Sequence, residues 1–516
     1  MPRIFNTAGP CLPGKHYMLP PSRRLPEVED LVAGEFYFVL HAPRQTGKTT
    51  LLRSLSASLT AEGRHAALTI SLESFTSDDV TAVMPQILQE IALVARSQLP
   101  PESSVADPTP FLTAPHIALK SYLAAWSASI DRPLVIFFDE IDALCPDVLL
   151  SVLRQLRSGY TARPAPFPAS VALVGLRDVR DYRVRVRDES TSLGTSSPFN
   201  IKVRSMTLDN FDEAEVSELL EQHTADTGQR FEDEAKGEIF GQTQGQPWLV
   251  NALAAQLVTD FDALVKDRST PVTRERVLEA REILIERRDT HLDSLVARLM
   301  EDRVRRVIEP IMTGEICVDP TYDDDFSYVR DLGLVTVTGG ARRIANPIYQ
   351  EIIPRVLTHQ VQTSISDDPR WYLTDEGTLD MGRLLEGFLN FWRRHGEVLL
   401  RGMPYHEAAP HLVLMAYLQR IVNSGGRIER EFAVGTGAAD LWVTYGGRED
   451  VIELKIQRGR FTLEDGLAQV ARYTKRIGRD TGYLVIFDPK SEVPWDDRGQ
   501  VETLTAEGVR VVVVRA

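Results

Sequence analysis

The sequence predicts a chain of several domains built mainly on α/β layers, and three observations carry that expectation. Residues 35–205 alternate short apolar runs with helix-length segments. From about Leu208 to Arg306 the pattern is helical, and the last ~145 residues, a normal single-domain size, return to mixed strands and helices. A length of 516 residues exceeds what one hydrophobic core organises, and domains of roughly 100–200 residues give about three or four units.

The elements follow in order. Phe36-Tyr37-Phe38-Val39-Leu40 is an apolar run that ends at a turn. A helix starts near Lys48, carries Leu51, Leu52, Leu55 and Leu59, and stops before Gly63. Ala66–Leu72 reads as a strand, Val80–Ser97 as a long amphipathic helix and Pro100–Pro115 as a Pro-rich loop. Leu134–Phe138 and Val171–Gly175 are continuous in apolar residues, as parallel strands covered on both faces are. Helices are expected at Asp212–Thr224, Asp233–Thr243 and Trp248–Val258, then a charged stretch from Arg274 to Arg306. Two helix-length segments, Arg303–Met312 and Asp325–Leu332, lead to Gly333–Val337, a Gly339-Gly340 turn and Arg342–Ala345. Helices followed by a small hairpin suggest a winged helix. Ser364–Pro369 makes a polar linker, and no internal repeat is visible.

Composition narrows the class. Apolar residues at 43% and charged residues at 25% describe a globular chain. No apolar stretch approaches the ~20 residues needed to cross a bilayer. The start lacks the apolar core of a secretory signal, and Cys11, Cys145 and Cys317 lie too far apart for a disulfide framework or zinc ribbon. These features predict a cytoplasmic protein with no membrane partner. A net charge of −15 excludes coating nucleic acid through bulk charge. Contact with DNA or RNA would need a local basic patch.

The sharpest motif is Ala42-Pro43-Arg44-Gln45-Thr46-Gly47-Lys48-Thr49-Thr50, between a strand and a helix. It matches the phosphate-binding pattern G-x-x-x-x-G-K-[ST] except that Ala42 replaces the first Gly, which an Ala with negative φ tolerates. Backbone N–H groups of such a loop converge on phosphates at a helix N-terminus. Lys48 would reach the β/γ-phosphates of ATP and Thr49 would ligate Mg²⁺. The run Leu134-Val135-Ile136-Phe137-Phe138 enters Asp139-Glu140-Ile141-Asp142. Asp139 would hold Mg²⁺ and Glu140 would polarise the attacking water. After Gly175-Leu176, Arg177 or Asp178 sits where a γ-phosphate sensor would lie. Arg180 or Arg183 reads either as an arginine finger, in cis or toward a second copy in a homo-oligomer, or as part of a salt-bridged loop with Asp178, Asp181 and Asp188.

Residues 15–260 resemble the AAA-like ATPases related to the origin-recognition and STAND branches of the P-loop NTPases. The resemblance rests on His16–Pro20, Pro43–Thr49, Asp139–Asp142, Gly175–Asp178, Ser197-Pro198-Phe199-Asn200 and Thr243-Gln244-Gly245-Gln246-Pro247. It implies that Tyr17–Pro20 help hold adenine, that Gly245–Pro247 open a lid helix, and that the winged helix belongs to the lid machinery.

A second constellation lies near the C-terminus. Ile428–Val434 alternates like a strand, Gly435-Thr436-Gly437 turns into Ala439-Asp440-Leu441-Trp442-Val443, and Val451-Ile452-Glu453-Leu454-Lys455-Ile456 follows. Glu453 and Lys455 share one face of that strand while Ile452 and Leu454 enter the core. Asp440 can meet Glu453 around Mg²⁺ or Mn²⁺, beside a lysine that activates water or stabilises developing charge. E-x-K alone says little, since Glu234-Ala235-Lys236 matches inside a helix. Order carries the weight: a helix with Glu407 near its start comes first, and a later helix presents Gln469 and Tyr473 on one face. This unit resembles the PD-(D/E)XK nuclease superfamily, although no Pro precedes Asp440. The resemblance implies catalytic Asp440, Glu453 and Lys455, with Glu407 and Gln469 as accessories.

Other features read as structural. Asp323-Asp324-Asp325 opposes DNA contact by Arg342 and Arg343 in the wing. His406, Glu407 and His411 miss the H-E-x-x-H spacing, and Trp371, Trp392 and Trp442 read as core. The expected architecture is a P-loop ATPase core (1–207), a helical lid (208–300), a winged helix (301–363) and a restriction-endonuclease-like α/β domain (370–516). The expected function is a metal-dependent DNA nuclease gated by ATP, with RNA an open alternative substrate and defence or mobile-DNA processing as its setting. The alternatives are a STAND-like switch whose last domain only binds a partner or DNA, and a DNA-binding regulator.

Overall fold

A computed structural model of the chain describes residues 3–103, 107–177, 201–287, 297–312, 323–357, 371–374, 376–402, 408–422, 426–434, 437–457, 462–488, 491 and 493–516. It divides into two compact units: Met1–Leu284 with Asp331–Gly333, and Ile285–Arg330 with Leu334–Ala516.

In the first unit, β1 (Tyr37–His41), β2 (Ala66–Ser71), β3 (Leu134–Asp139), β4 (Ser170–Gly175) and β5 (Lys202–Thr207) form one parallel sheet. The strand order is β2-β3-β4-β1-β5. Alternate residues feed opposite faces, as the two-residue period of a strand requires. Tyr37, Val39, Ile136 and Phe138 pack under the helices Val80–Gln98, Pro115–Ser129 and Pro146–Thr161. Phe38, Leu40, Val135 and Phe137 meet Leu51, Leu52, Leu55 and Leu59 of the helix Lys48–Ala61. Both faces of the inner strands are covered, so β1 to β4 are almost continuously buried and read as unbroken apolar runs in the sequence. The edge strand β5 is absent from the sequence reading, because only Met206 of its six residues is buried.

Helices Glu213–Thr227, Asp233–Thr243, Pro247–Thr259 and Arg274–Arg287 follow. Asp212 and Glu215 close a reciprocal capping box at the first, and Gly228 ends it with φ 79°. Gln246 caps the third helix through Leu249 N–H, with Pro247 in its first turn.

The second unit begins with helices Asp302–Met312 and Asp324–Asp331. Next come β6 (Val335–Thr338) and β7 (Ala341–Ile344), an antiparallel pair, and the helix Pro347–Leu357. Gly339 and Gly340 have φ of 60° and 80°, the left-handed pair that a two-residue hairpin turn requires. Asp325 pairs with Arg303 at 2.7 Å and with Arg306 at 2.6 Å, and Asp323 pairs with Arg342 at 3.0 Å. The acidic run is therefore neutralised locally. Arg342 is buried against the Phe326 ring and is withdrawn from any phosphate.

The remaining strands are β8 (Gly426–Val434), β9 (Gly437–Tyr445), β10 (Arg448–Ile456), β11 (Thr481–Phe487), β12 (Gln500–Ala506) and β13 (Val509–Arg515). They form a mixed sheet in the order β12-β13-β11-β10-β9-β8, with β10–β11 and β11–β13 parallel. The helix Thr462–Arg476 lays Val470 and Ala471 on Leu484, Ile486 and Val511. Trp392 and Trp442 are buried as expected, but Trp371 is 41% exposed and is not core. Among the described residues no helix is long and apolar enough to cross a membrane.

One glycine tests how the helices after β5 are joined to the sheet. Gly245 has φ 68°, and an added Cβ would stand 1.8 Å from the Phe211 carbonyl oxygen, whose own N–H donates to Gly245 O. Backbone cannot yield there as a flexible side chain would. Gly245→Ala should cost about 3 kcal/mol or more. The thermal transition of the first unit should fall by at least about 6 °C, measured calorimetrically.

Candidate functional site

β1 delivers the chain to the loop Ala42–Gly47, which must reverse into the helix from Lys48. Gln45 and Gly47 adopt φ of 60° and 91° to do so, whereas Ala42 is absent from the positive-φ residues. The replaced glycine is thus harmless: Ala42 is buried and its N–H donates to Gly175 O. Lys48 Nζ donates to Ala42 O and Pro43 O, both at 2.8 Å. Burial pulls the Lys48 ammonium below its usual range, and the carboxylates of Glu140, Asp139 and Asp142 oppose that pull. A polyphosphate would give the ammonium phosphate oxygens in place of the two loop carbonyls.

β4 lies between β1 and β3, so the loop from β1 must reach across one strand to Asp139. It does so through Thr49, whose hydroxyl donates to Asp139 Oδ2 at 2.6 Å. The other oxygen, Oδ1, accepts the Glu140 N–H at 3.0 Å. Asp139 and Thr49 are therefore already paired as joint ligands of an Mg²⁺ would be, which is the fit the sequence pattern demands. Glu140 sits at φ 55°, a left-handed conformation costly for a residue with a side chain. Burial raises its pKa, with Lys48 opposing and Asp139 adding to the rise, which makes it a stronger base once ionised. Asp142 accepts the Leu176 N–H at 3.1 Å and so anchors the tip of β4. Arg177 follows that tip and pairs with Asp331 at 3.2 Å. Asp178, Arg180 and Arg183, and Ser197–Asn200 of the resemblance, lie outside the described residues.

The loop opens on a cavity of about 410 Å³, within the range of small-molecule sites. Its walls combine Gln45–Thr50 and Glu140 with Phe211, Pro247 and Trp248 of the helical segment after β5. Met18 and Leu19 line it as the resemblance implies. Tyr17 also touches it, but its hydroxyl is taken by His223 Nδ1 at 3.2 Å. The sequence reading missed the earlier stretch Asn6–Cys11. That stretch lines the cavity through Asn6, Thr7 and Cys11, with Trp248 Nε1 donating to Thr7 O at 2.9 Å and Cys11 N–H to Thr50 Oγ1 at 3.0 Å. No motif marks it; only its turn glycines, Gly9 and Gly14, hint that the segment folds back.

In the second unit, β9 and β10 bring Asp440, Glu453 and Lys455 together. Asp440 Oδ2 accepts the Leu454 N–H at 2.7 Å, and Glu453 Oε1 accepts from Lys455 Nζ at 2.7 Å. Glu453 Oε2 and Gln469 Oε1 are buried acceptors with no partner among the described residues. Tyr473, buried, is on the same helix face. Burial pushes Glu453 up to about 7, Asp440 adds to the rise and Lys455 opposes it. Burial likewise raises Asp440. Two neighbouring carboxylates, one of them with a bare oxygen, are hard-oxygen donors of the kind that Mg²⁺ or Mn²⁺ takes. Among the described residues no group of three or more His, Cys, Asp or Glu side chains gathers to hold a metal. Glu407, the expected helical accessory, lies outside the described residues. Glu453 is more enclosed than the sequence reading had it, because the helix Thr462–Arg476 covers its face of β10 as well.

Comparison with known proteins bears on the first of these sites. The family profile described as an AAA-like domain matches residues 34–353. No curated protein matches the chain. Solved structures similar to it include a Walker-type ATPase of Pyrococcus abyssi, at 14% identity and a TM-score of 0.46, covering 68% of this chain and 99% of that one. The RuvB Holliday junction branch migration motor of Thermotoga maritima matches at 15% identity and 0.34, covering 64% and 93%. Cdc6p from Pyrobaculum aerophilum matches at 15% and 0.36, covering 68% and 97%.

The raised pKa of Glu453 gives a readout independent of catalysis. Its ionised form is disfavoured in the fold, so the penalty is present above about 7 and is relieved as pH falls toward the ordinary glutamate range. A bound divalent cation would favour that ionised form. Mn²⁺ should therefore raise the melting temperature of the second unit by a few degrees near pH 8 and by much less near pH 6. Glu453→Gln should abolish the difference.

Proposed function

Because this chain belongs to the AAA-like domain family, whose profile spans 34–353 of its 516 residues, we propose that its first unit binds and hydrolyses ATP. In this reading ATP in turn gates a metal-dependent DNA nuclease in its last domain. The observation that supports the ATPase half is the Thr49–Asp139 contact beside Lys48 and Glu140. Mg²⁺, when bound, neutralises phosphate charge. Lys48 would exchange two loop carbonyls for phosphate oxygens, Thr49 and Asp139 would hold the ion, and Glu140 would orient and deprotonate the attacking water.

The nuclease half rests on the unpartnered Glu453 Oε2 beside Asp440 and Lys455. A divalent cation there supplies charge for an attacking water and for the phosphodiester. Asp440 and Glu453 would hold it, Gln469 would orient, and Lys455 would stabilise the developing phosphorane charge. We assign domains at 1–207, 208–300, 301–363 and 370–516, with the winged helix serving the lid. A defence or mobile-DNA setting, assembly of several copies and a cytoplasmic site belong to the same proposal.

A second reading, a STAND-like switch whose last domain only binds a partner, draws on the lack of a third carboxylate among the described residues. The reading of the winged helix as a DNA-binding regulator is weakened by the burial of Arg342 against Phe326.

Two measurements separate these readings. Glu140→Gln should retain ATP binding and lose hydrolysis by at least about a hundredfold, whereas Lys48→Ala should lose binding by at least about tenfold. Plasmid and linear-DNA cleavage should require Mg²⁺ or Mn²⁺, respond to ATP, and vanish in Lys455→Ala. Cleavage of neither DNA nor RNA would leave the switch reading in its place.

A further inference from the structure

One buried group lining the nucleotide cavity is left unanswered by the P-loop chemistry. Asn251 sits one turn into the lid helix Pro247–Thr259, is 7% exposed, and lines the cavity with Pro247 and Trp248. Its Nδ2 donates to the Pro247 carbonyl at 2.8 Å. That bond fixes which way round the amide lies, since a flipped amide would set two carbonyl oxygens against each other. The remaining atom, Oδ1, is a buried acceptor with no partner among the described residues. Solvent does not reach it in this conformation, so an acceptor bond to a ligand requires the side chain to turn toward the cavity and release the Pro247 carbonyl, which stays within the backbone ladder of its own helix.

The chemistry of the gap selects its complement. A carbonyl oxygen takes a donor and repels an anion. The triphosphate of a nucleotide carries no donor and is provided for by Lys48 and the loop N–H groups at the other wall. The donors on a nucleotide are the ribose hydroxyls and the exocyclic amino group of the base. The apolar neighbours Met18, Leu19, Phe211 and Trp248 suit the nucleoside end as well.

We propose that Asn251 is a specificity-determining residue that accepts a hydrogen bond from the nucleoside, either a ribose hydroxyl or the adenine amino group. The proposal rests on the reading of this cavity as the ATP site. A site built to bond one polar group rejects the analogue lacking it, because its own acceptor is then left bare.

The test compares three probes on the full chain by calorimetry: ATP, 2′,3′-dideoxy-ATP and purine-riboside triphosphate, which lacks only the amino group. In the wild type, one analogue should bind about five- to tenfold more weakly than ATP. In Asn251→Leu and Asn251→Ala that ratio should collapse to within about twofold. Ratios are taken within each variant, so a general loss of affinity or fold cancels. The analogue that loses discrimination identifies the donor. Equal binding of all three by the wild type would overturn the proposal, as would a penalty that survives in both variants. Failure of the wild type to bind ATP better than Lys48→Ala would instead overturn the ATP-site reading beneath it.

Discussion

The bond between Thr49 and Asp139 joins side chains 90 positions apart, and the first unit depends on what makes it achievable. The two residues leave strands that are not neighbours, because β4 lies between them. A parallel sheet, whose strands all end at one edge, puts both carriers there, and β1, β3 and β4 are buried on both faces. The helix Lys48–Ala61 then aims its N-terminus at the same edge, since Leu51, Leu52, Leu55 and Leu59 fix the face it lays on the sheet.

That arrangement concentrates charge where water is scarce. Lys48, Asp139 and Glu140 each depart from their ordinary ionisation for the same reason, desolvation. The second unit repeats the logic. There the excess is negative, since Asp440 and Glu453 share one lysine, and a carboxylate oxygen has no donor. A fold gains nothing by burying such groups uncompensated. Each site gathers more carboxylate than cation, and a divalent cation would relieve the excess in either.

How much of this was legible in the sequence depends on whether the signal was local. The phosphate loop, the Asp139-Glu140 pair and the helices after β5 were legible because a short span of chain sets them. Asp440, Glu453 and Lys455 were legible because strand alternation places two on one face and a turn brings the third. The stretch Asn6–Cys11 was not legible, because its place in the cavity wall comes from bonds to Trp248 and Thr50, far away in sequence. The edge strand β5 carries too few apolar residues to announce itself. Trp371 was misplaced because an aromatic residue is core by tendency only, and 41% of it faces solvent.

Asn251 belongs with those distant signals, yet for a different reason. A lone asparagine inside an apolar helix carries no pattern, and Leu, Ala or Val would serve that helix better by propensity alone or by packing. Its cost becomes visible only when every atom around it is accounted for: one end of the amide is satisfied within its own turn, and the other is not. The same accounting applied to Glu453 gives the same result on a charged group. A buried acceptor without a donor is a physical debt of about 1–3 kcal/mol for a neutral group and more for a charged one. In both units, that debt falls where a ligand of matching chemistry would settle it.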